Sequence, residues 1–125
     1  ENNIDFFAYS PLSFGILCID PEKDENKEKS FIRNFLFENY KKPTYELRRC
    51  LKRIANQRSV SQAQVAINWC CYQGTIPLVG MRKKSQVIDV SNVFKWNLNK
   101  NEFKLLQEVS KNCLKKMPKN PFSSI

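Results

Sequence analysis

Only two stretches of this chain read as β-strands, and they lie far apart. The first is the apolar run Ile4, Phe6, Phe7, Ala8 and Tyr9; the second is Ile76, Leu78 and Val79, with Pro77 near its start and Gly80 at its end. Both have the length and closing turn residues of buried strands. The residues between them carry helical patterns, and strands separated by helices pair in parallel. Parallel strands are buried on both faces and need neighbours, so two of them make no stable sheet. The chain therefore reads as the end of a larger α/β fold. It begins Glu-Asn-Asn-Ile without an initiator Met, which gives the same expectation of a piece of a longer protein.

The helices announce themselves by spacing and caps. Phe31, Ile32, Phe35 and Leu36 fit one face of a short helix. Leu47, Cys50, Leu51, Ile54 and Ala55 recur at helical intervals after Pro43, which suits a first turn, and predict an amphipathic helix to about Gln57. Ser61-Gln62-Ala63-Gln64 has the pattern of a capping box. Val65, Ala66, Trp69 and Cys70 are then expected to bury one side, with Gly74 as the stop. A further short helix carries Val87, Ile88, Val90 and Val93 on one face. Asn99 with Glu102 caps a last helix lined by Phe103, Leu105, Leu106 and Val109. The segment 20–30, rich in alternating charge, is expected to be an exposed loop, and 115–125, with two prolines, an irregular tail after one unit over 1–114.

Composition excludes several classes. No apolar run approaches the roughly 18 residues of a membrane helix, so the chain is expected to be soluble, with no membrane partner. The net charge of +9 permits polyanion binding. The surplus is scattered, however, without aromatics interleaved on one face, and no nucleic-acid partner is expected. Five cysteines form no CxxC pair, which points to buried thiols in a reducing, cytoplasmic setting. There is no histidine, which removes the commonest general base and nitrogen metal ligand; no metal site is expected.

One oddity remains in TIPLVGMRKKSQ. Arg82, Lys83 and Lys84 stand at or just before a helix start, where the macrodipole disfavours exposed positive charge by about 0.3–1 kcal/mol each. A bound phosphate would reverse that sign, since cations and free N–H groups would converge on it. A solvated turn in a lysine-rich chain is the alternative, and the stretch alone leaves both open.

Taken together, FFAYSPLSFGIL, VSQAQVAINWCCYQGTIPLVGMRKKSQV and FKWNLNKNEFKLLQEVSKN resemble, in order and spacing, the C-terminal part of the aldo-keto reductases. The resemblance implies an α/β fold, the C-terminal segment of a (β/α)8 barrel comprising about its last two strands with their helices. YSPL-x-x-G-x-L would end the seventh strand, and the IPLVGMR run would be the eighth with its cofactor loop. It also implies NADPH as cofactor and a small carbonyl compound as substrate. Tyr9 would stack on the nicotinamide, with Ser10 and Leu12 along the pyrophosphate; an aromatic packed inside the barrel mouth is the alternative for Tyr9. Gly80, Arg82 and Gln86 would surround the adenosine 2′-phosphate and adenine, with Asp89 reaching the adenine side.

Departures accompany the match. The family commonly has Glu-Asn after the glutamine where this chain has Asp89 and Val90, and Val90 makes no hydrogen bond. The family's Asp, Tyr, Lys and His tetrad belongs to the N-terminal half of the barrel, so no catalytic residue is expected here and the segment alone is expected to be inactive. Expected alternatives are a non-catalytic nucleotide-binding protein resembling the potassium-channel β subunits, and a basic anion- or RNA-binding module. An isolated segment with bare sheet edges is expected to self-associate.

Overall fold

The computed structural model describes residues 4–23 and 30–117. Most of the charged segment and residues 118–125 of the tail lie outside the described residues. Among those described, the strands are β1 (Phe7–Tyr9) and β2 (Ile76–Leu78), and the helices are α1 (Phe31–Tyr40), α2 (Tyr45–Arg58), α3 (Gln62–Tyr72), α4 (Lys84–Ser91) and α5 (Lys100–Lys116). Two 3-10 turns, Ser13–Cys18 and Val93–Lys95, follow β1 and α4. The strands pair in parallel, Phe7 with Ile76, Ala8 with Pro77 and Tyr9 with Leu78. The molecule is therefore helix-rich with a small parallel sheet, an α/β piece. α1 continues well past Leu36, and α5 runs two residues into the expected tail.

α2, α3 and α5 enclose the core. Leu51 and Ile54 from α2, Val65 and Ala66 from α3 and Leu106 from α5 are all but removed from water. Each large apolar side chain so buried contributes about 1.5–3 kcal/mol. α2 therefore packs with the stripe that its spacing predicts. α3 departs from its prediction: Gln64 and Asn68 are buried beside Val65, Ala66 and Ile67, whereas Trp69 and Cys70 are only half-buried. α4 departs further, with Val87 and Ile88 exposed and only Val93, beyond its end, fully buried. The exposed apolar residues Phe6, Phe7, Ile76 and Leu78 leave the sheet similarly uncovered.

Caps explain the element boundaries. The Ser61 hydroxyl accepts from the Gln64 N–H at 3.1 Å, half of the predicted box; the Gln64 side chain turns away to α4 instead. Asn99 and Glu102 form both halves of theirs. Gly74 ends α3 with φ of +76°, a left-handed value that glycine adopts without the Cβ penalty. Arg48 is fully buried, with Nη2 donating to the Lys41 carbonyl at 2.7 Å and Nε to Thr44 Oγ1 at 3.3 Å. It thereby ties the end of α1 to α2. Lys52 on α2 pairs with Asp20 at 2.8 Å and Glu22 at 2.7 Å, so the first residues of the charged segment are tethered.

Asn68 holds the connection between α4 and α5. Its amide donates to the Val93 and Trp96 carbonyls at 3.2 and 2.8 Å, and its oxygen accepts from the Leu98 N–H at 3.0 Å. All of this occurs in a buried setting, where each orphaned backbone group costs about 1–3 kcal/mol. Asn68→Ala is expected to lower stability by about 2–4 kcal/mol in denaturant unfolding. A loss below about 1 kcal/mol would mean that water replaces the amide.

Candidate functional site

The segments that leave the carboxyl ends of β1 and β2 face one cavity of about 600 Å³. Ser10 and Leu12 enter it from the β1 side, and Gly80, Arg82 and Gln86 from the β2 side. A second cavity of about 260 Å³ shares Leu12, Gly80 and Gln86 with the first and extends to Ser61 and Asp89. The two form one groove across the ends of the sheet. Tyr9 lines neither cavity; its side chain stands at the end of β1, 84% exposed.

The β1 side is built from unusual backbone. Ser10 has φ of 52°, and its carbonyl accepts from the Ser13 N–H at 2.9 Å, closing a turn around Pro11. Of the extended or turn conformations open to a residue before proline, Ser10 thus takes a left-handed turn. Ser13 and Phe14 are also left-handed, at 48° and 59°. Non-glycine residues in this region cost about 1–2 kcal/mol each, and such strain persists where the surroundings impose it. Gly15, at 91°, takes the value least open to a side chain.

The β2 side turns on Gln86. Its Oε1 accepts from the N–H groups of Arg82 at 2.8 Å and Lys83 at 3.0 Å, so the glutamine staples the loop to the first turn of α4. That turn contains no acidic residue. No hydrogen bond of the Gln86 NH2 group is present among the described residues. Among the described residues, nothing lies within 4 Å of where a Cβ at Gly80 would stand, so the space beside it is open there and none of their contacts demands a glycine. Lys83 and Lys84 are exposed and line neither cavity.

Asp89 is engaged within the chain. One carboxylate oxygen accepts from Ser61 Oγ at 2.6 Å and the other from Gln64 Nε2 at 2.7 Å. Val90 beside it is half-buried and lines the smaller cavity. Two cations that the motifs did not single out, Lys23 and Arg33, also line the larger cavity. Lys23 was hidden in a charge-alternating segment and Arg33 in a short apolar stripe; only their convergence with Arg82 marks them.

Residues 1–111 match the model of the aldo/keto reductase family. The chain belongs to the aldo/keto reductase family. It is 32% identical, over 99% of its length, to the chloroplastic pyridoxal reductase of Arabidopsis thaliana, of which it covers 33%. It is 23% identical, over 86% of its length, to a putative aryl-alcohol dehydrogenase of Saccharomyces cerevisiae, of which it covers 32%. The chain thus spans about a third of these oxidoreductase-named relatives. Among the described residues of this aldo/keto reductase segment, no helix is long and apolar enough to cross a membrane, and no cluster of metal-ligating side chains occurs.

Cys18 borders both cavities. The residue is exposed, yet the packing around its sulfur desolvates the thiolate, and with the nearby Asp89 charge this pushes the thiol up to about 11. At pH 8 roughly a hundredfold fewer thiolates form than at an ordinary cysteine. Alkylation at Cys18, followed by mass spectrometry, is expected to be slow at pH 8 and still accelerating above about pH 9.5. A rate that levels off near pH 9 would show an ordinary, well-solvated thiol.

Proposed function

We propose that this chain is the C-terminal part of an NADPH-dependent oxidoreductase that reduces aldehydes or ketones to alcohols by hydride transfer. The observation that carries the reading is the groove at the carboxyl ends of the parallel strands, where residues of the family's cofactor motifs meet. Ligands bind at that end of parallel α/β architectures. The residues also fit a dinucleotide: Arg82 presents a planar fork of donors suited to phosphate, Gly80 leaves room for close approach, and Lys23 and Arg33 add positive charge to the same cavity. In this proposal Ser10 and Leu12 follow the pyrophosphate, Gln86 offers its NH2 group to the adenine, and the exposed ring of Tyr9 is placed to lie against the nicotinamide.

The bound nucleotide would supply the hydride. Residues of this chain bind and orient it, while the proton for the carbonyl oxygen comes from the tetrad in the part of the barrel that this segment lacks. The proposed architecture is the closing portion of a (β/α)8 barrel, in keeping with the parallel register of β1 and β2 and their bare apolar faces. The names of both relatives describe enzymes, which favours catalysis over an interaction protein of the channel-subunit type. Their names share aromatic aldehyde or alcohol chemistry, so aromatic aldehydes are the first substrates to assay. For localisation we favour the cytoplasm, where thiols stay reduced; of the relatives, the plant enzyme is chloroplastic.

In the full-length protein, Arg82→Ala is expected to cost about 1.5–3 kcal/mol of NADPH affinity by titration and to leave NADH nearly unchanged. Equal losses for both nucleotides would contradict the 2′-phosphate role. The isolated segment is expected to sediment as an oligomer through its uncovered sheet and α4 faces. A compact monomer would count against the partial-barrel reading.

A further inference from the structure

Asp89 lies on α4 three residues beyond Gln86, the side chain that fixes Arg82 and Lys83 at the mouth of the groove. Its carboxylate faces α3, where Ser61 Oγ donates to one oxygen and Gln64 Nε2 to the other. The orientation of Gln64 is itself determined. Trp96 Nε1 donates to Gln64 Oε1 at 3.1 Å, and an indole nitrogen can only donate, so the amide must present its NH2 group to residue 89. Trp96 is held in turn by Arg58, whose guanidinium carbon lies 5.7 Å from the ring centroid. Arg58 is fixed by two parallel hydrogen bonds to Glu102, at 2.9 and 2.7 Å. Burial would raise the Glu102 carboxyl, but its bonds from Arg58 and the Asn99 N–H hold it below its ordinary value, so the pair stays charged.

These contacts form a directed relay in which each group has its donor or acceptor role imposed by the next. It ends on Asp89, which must accept from both sides. We propose that Asp89 is a positioning residue that anchors α4 to α3 through Ser61 and Gln64, and so sets the Arg82–Gln86 end of α4 against the nucleotide without touching the nucleotide itself. The proposal rests on the cofactor reading above, and departs from the direct adenine contact that the family resemblance implies for this position.

The relay makes a specific demand. Asp89→Asn either sets its NH2 group against the Gln64 NH2 or turns it to Ser61, whose hydroxyl must then accept where it donated, losing the carboxylate as acceptor for its own proton; rotating Gln64 to compensate would break its bond from Trp96. Gln64→Glu alone places two carboxylates face to face, which is unfavourable for both. The double variant exchanges the two functional groups and restores every contact. The carboxylate then at position 64 accepts from Trp96 and from the amide NH2 at position 89, and the amide oxygen at position 89 accepts from Ser61.

The test measures NADPH affinity by fluorescence titration and melting temperature by calorimetry, for the full-length protein and the three variants. Asp89→Asn is expected to weaken NADPH binding roughly tenfold and to lower the melting temperature. Asp89→Asn with Gln64→Glu should recover both, with affinity within about threefold of the original, a non-additivity that only a coupled pair produces. Restored melting with affinity still lost would place Asp89 on the nucleotide and overturn the proposal. Unchanged affinity and melting in Asp89→Asn would also overturn it. If the unmodified protein binds neither NADPH nor NADH, the cofactor reading fails instead. The melting series then decides the anchor: rescue by the double variant supports it, and no rescue overturns it.

Discussion

Two buried amides four residues apart on α3 govern how the rest of this structure is arranged. Gln64 and Asn68 lie nearly out of water on a helix otherwise flanked by aliphatic neighbours, and between them they take up polar groups from the whole segment 89–98. A buried amide left without partners is costly, so these side chains select one path for the chain that crosses them. Asn68 receives the irregular backbone between α4 and α5, which no helix or strand satisfies. Gln64 receives Asp89 and Trp96. Aliphatic residues at both positions would bury well but would leave α4 free to slide, because its own apolar side chains meet little protein.

That constraint sits directly behind the groove. α4 contributes few packing contacts, yet its first turn carries the loop with Gly80, Arg82 and Gln86. Polar anchoring thus takes the place of hydrophobic packing at the element whose first turn lines the groove. On the opposite wall, the left-handed backbone at Ser10, Ser13 and Phe14 shows the chain held away from its preferred conformations. Cations at the start of α4, without an acidic residue to offset them, have the same character. Both features are locally unfavourable, and Ser10 and Phe14 from the first and Arg82 beside the second line one cavity, a concentration of local cost that a functional site would account for.

Much of this was legible from the residues. The α2 stripe, the glycine that ends α3, the Asn99–Glu102 box and the parallel relation of the strands follow from spacing and cap chemistry, which act within one turn or one pair. What escaped depends on partners far away in sequence. Ser61-x-x-Gln64 promised a reciprocal box, but Asp89 and Trp96 compete for the Gln64 side chain and win it. Trp69 and Cys70 read as more apolar than Gln64 and Asn68, yet the amides are the more deeply buried, because backbone from 93–98 must be satisfied there. Nothing in the α2 spacing marked Arg48 for burial, yet Thr44 and the Lys41 carbonyl accept its donors inside the fold. For the groove, the family motifs brought Ser10, Leu12, Gly80, Arg82 and Gln86 together; Lys23 and Arg33 emerged only in three dimensions.

The exposed apolar residues of β1, β2 and α4 leave one side of the segment uncovered, and in the proposed function the groove at its end holds a nucleotide. In the proposed function this end, the loop after β2 and the first turn of α4, grips a nicotinamide nucleotide. Amide hydrogen exchange on the full-length protein, with and without saturating NADPH, tests it most directly. Exchange is expected to slow across 80–86 and in the turn at 10–15, while α2 is unaffected. Protection confined to other parts of the protein, with 80–86 unchanged by a nucleotide that demonstrably binds, would contradict it.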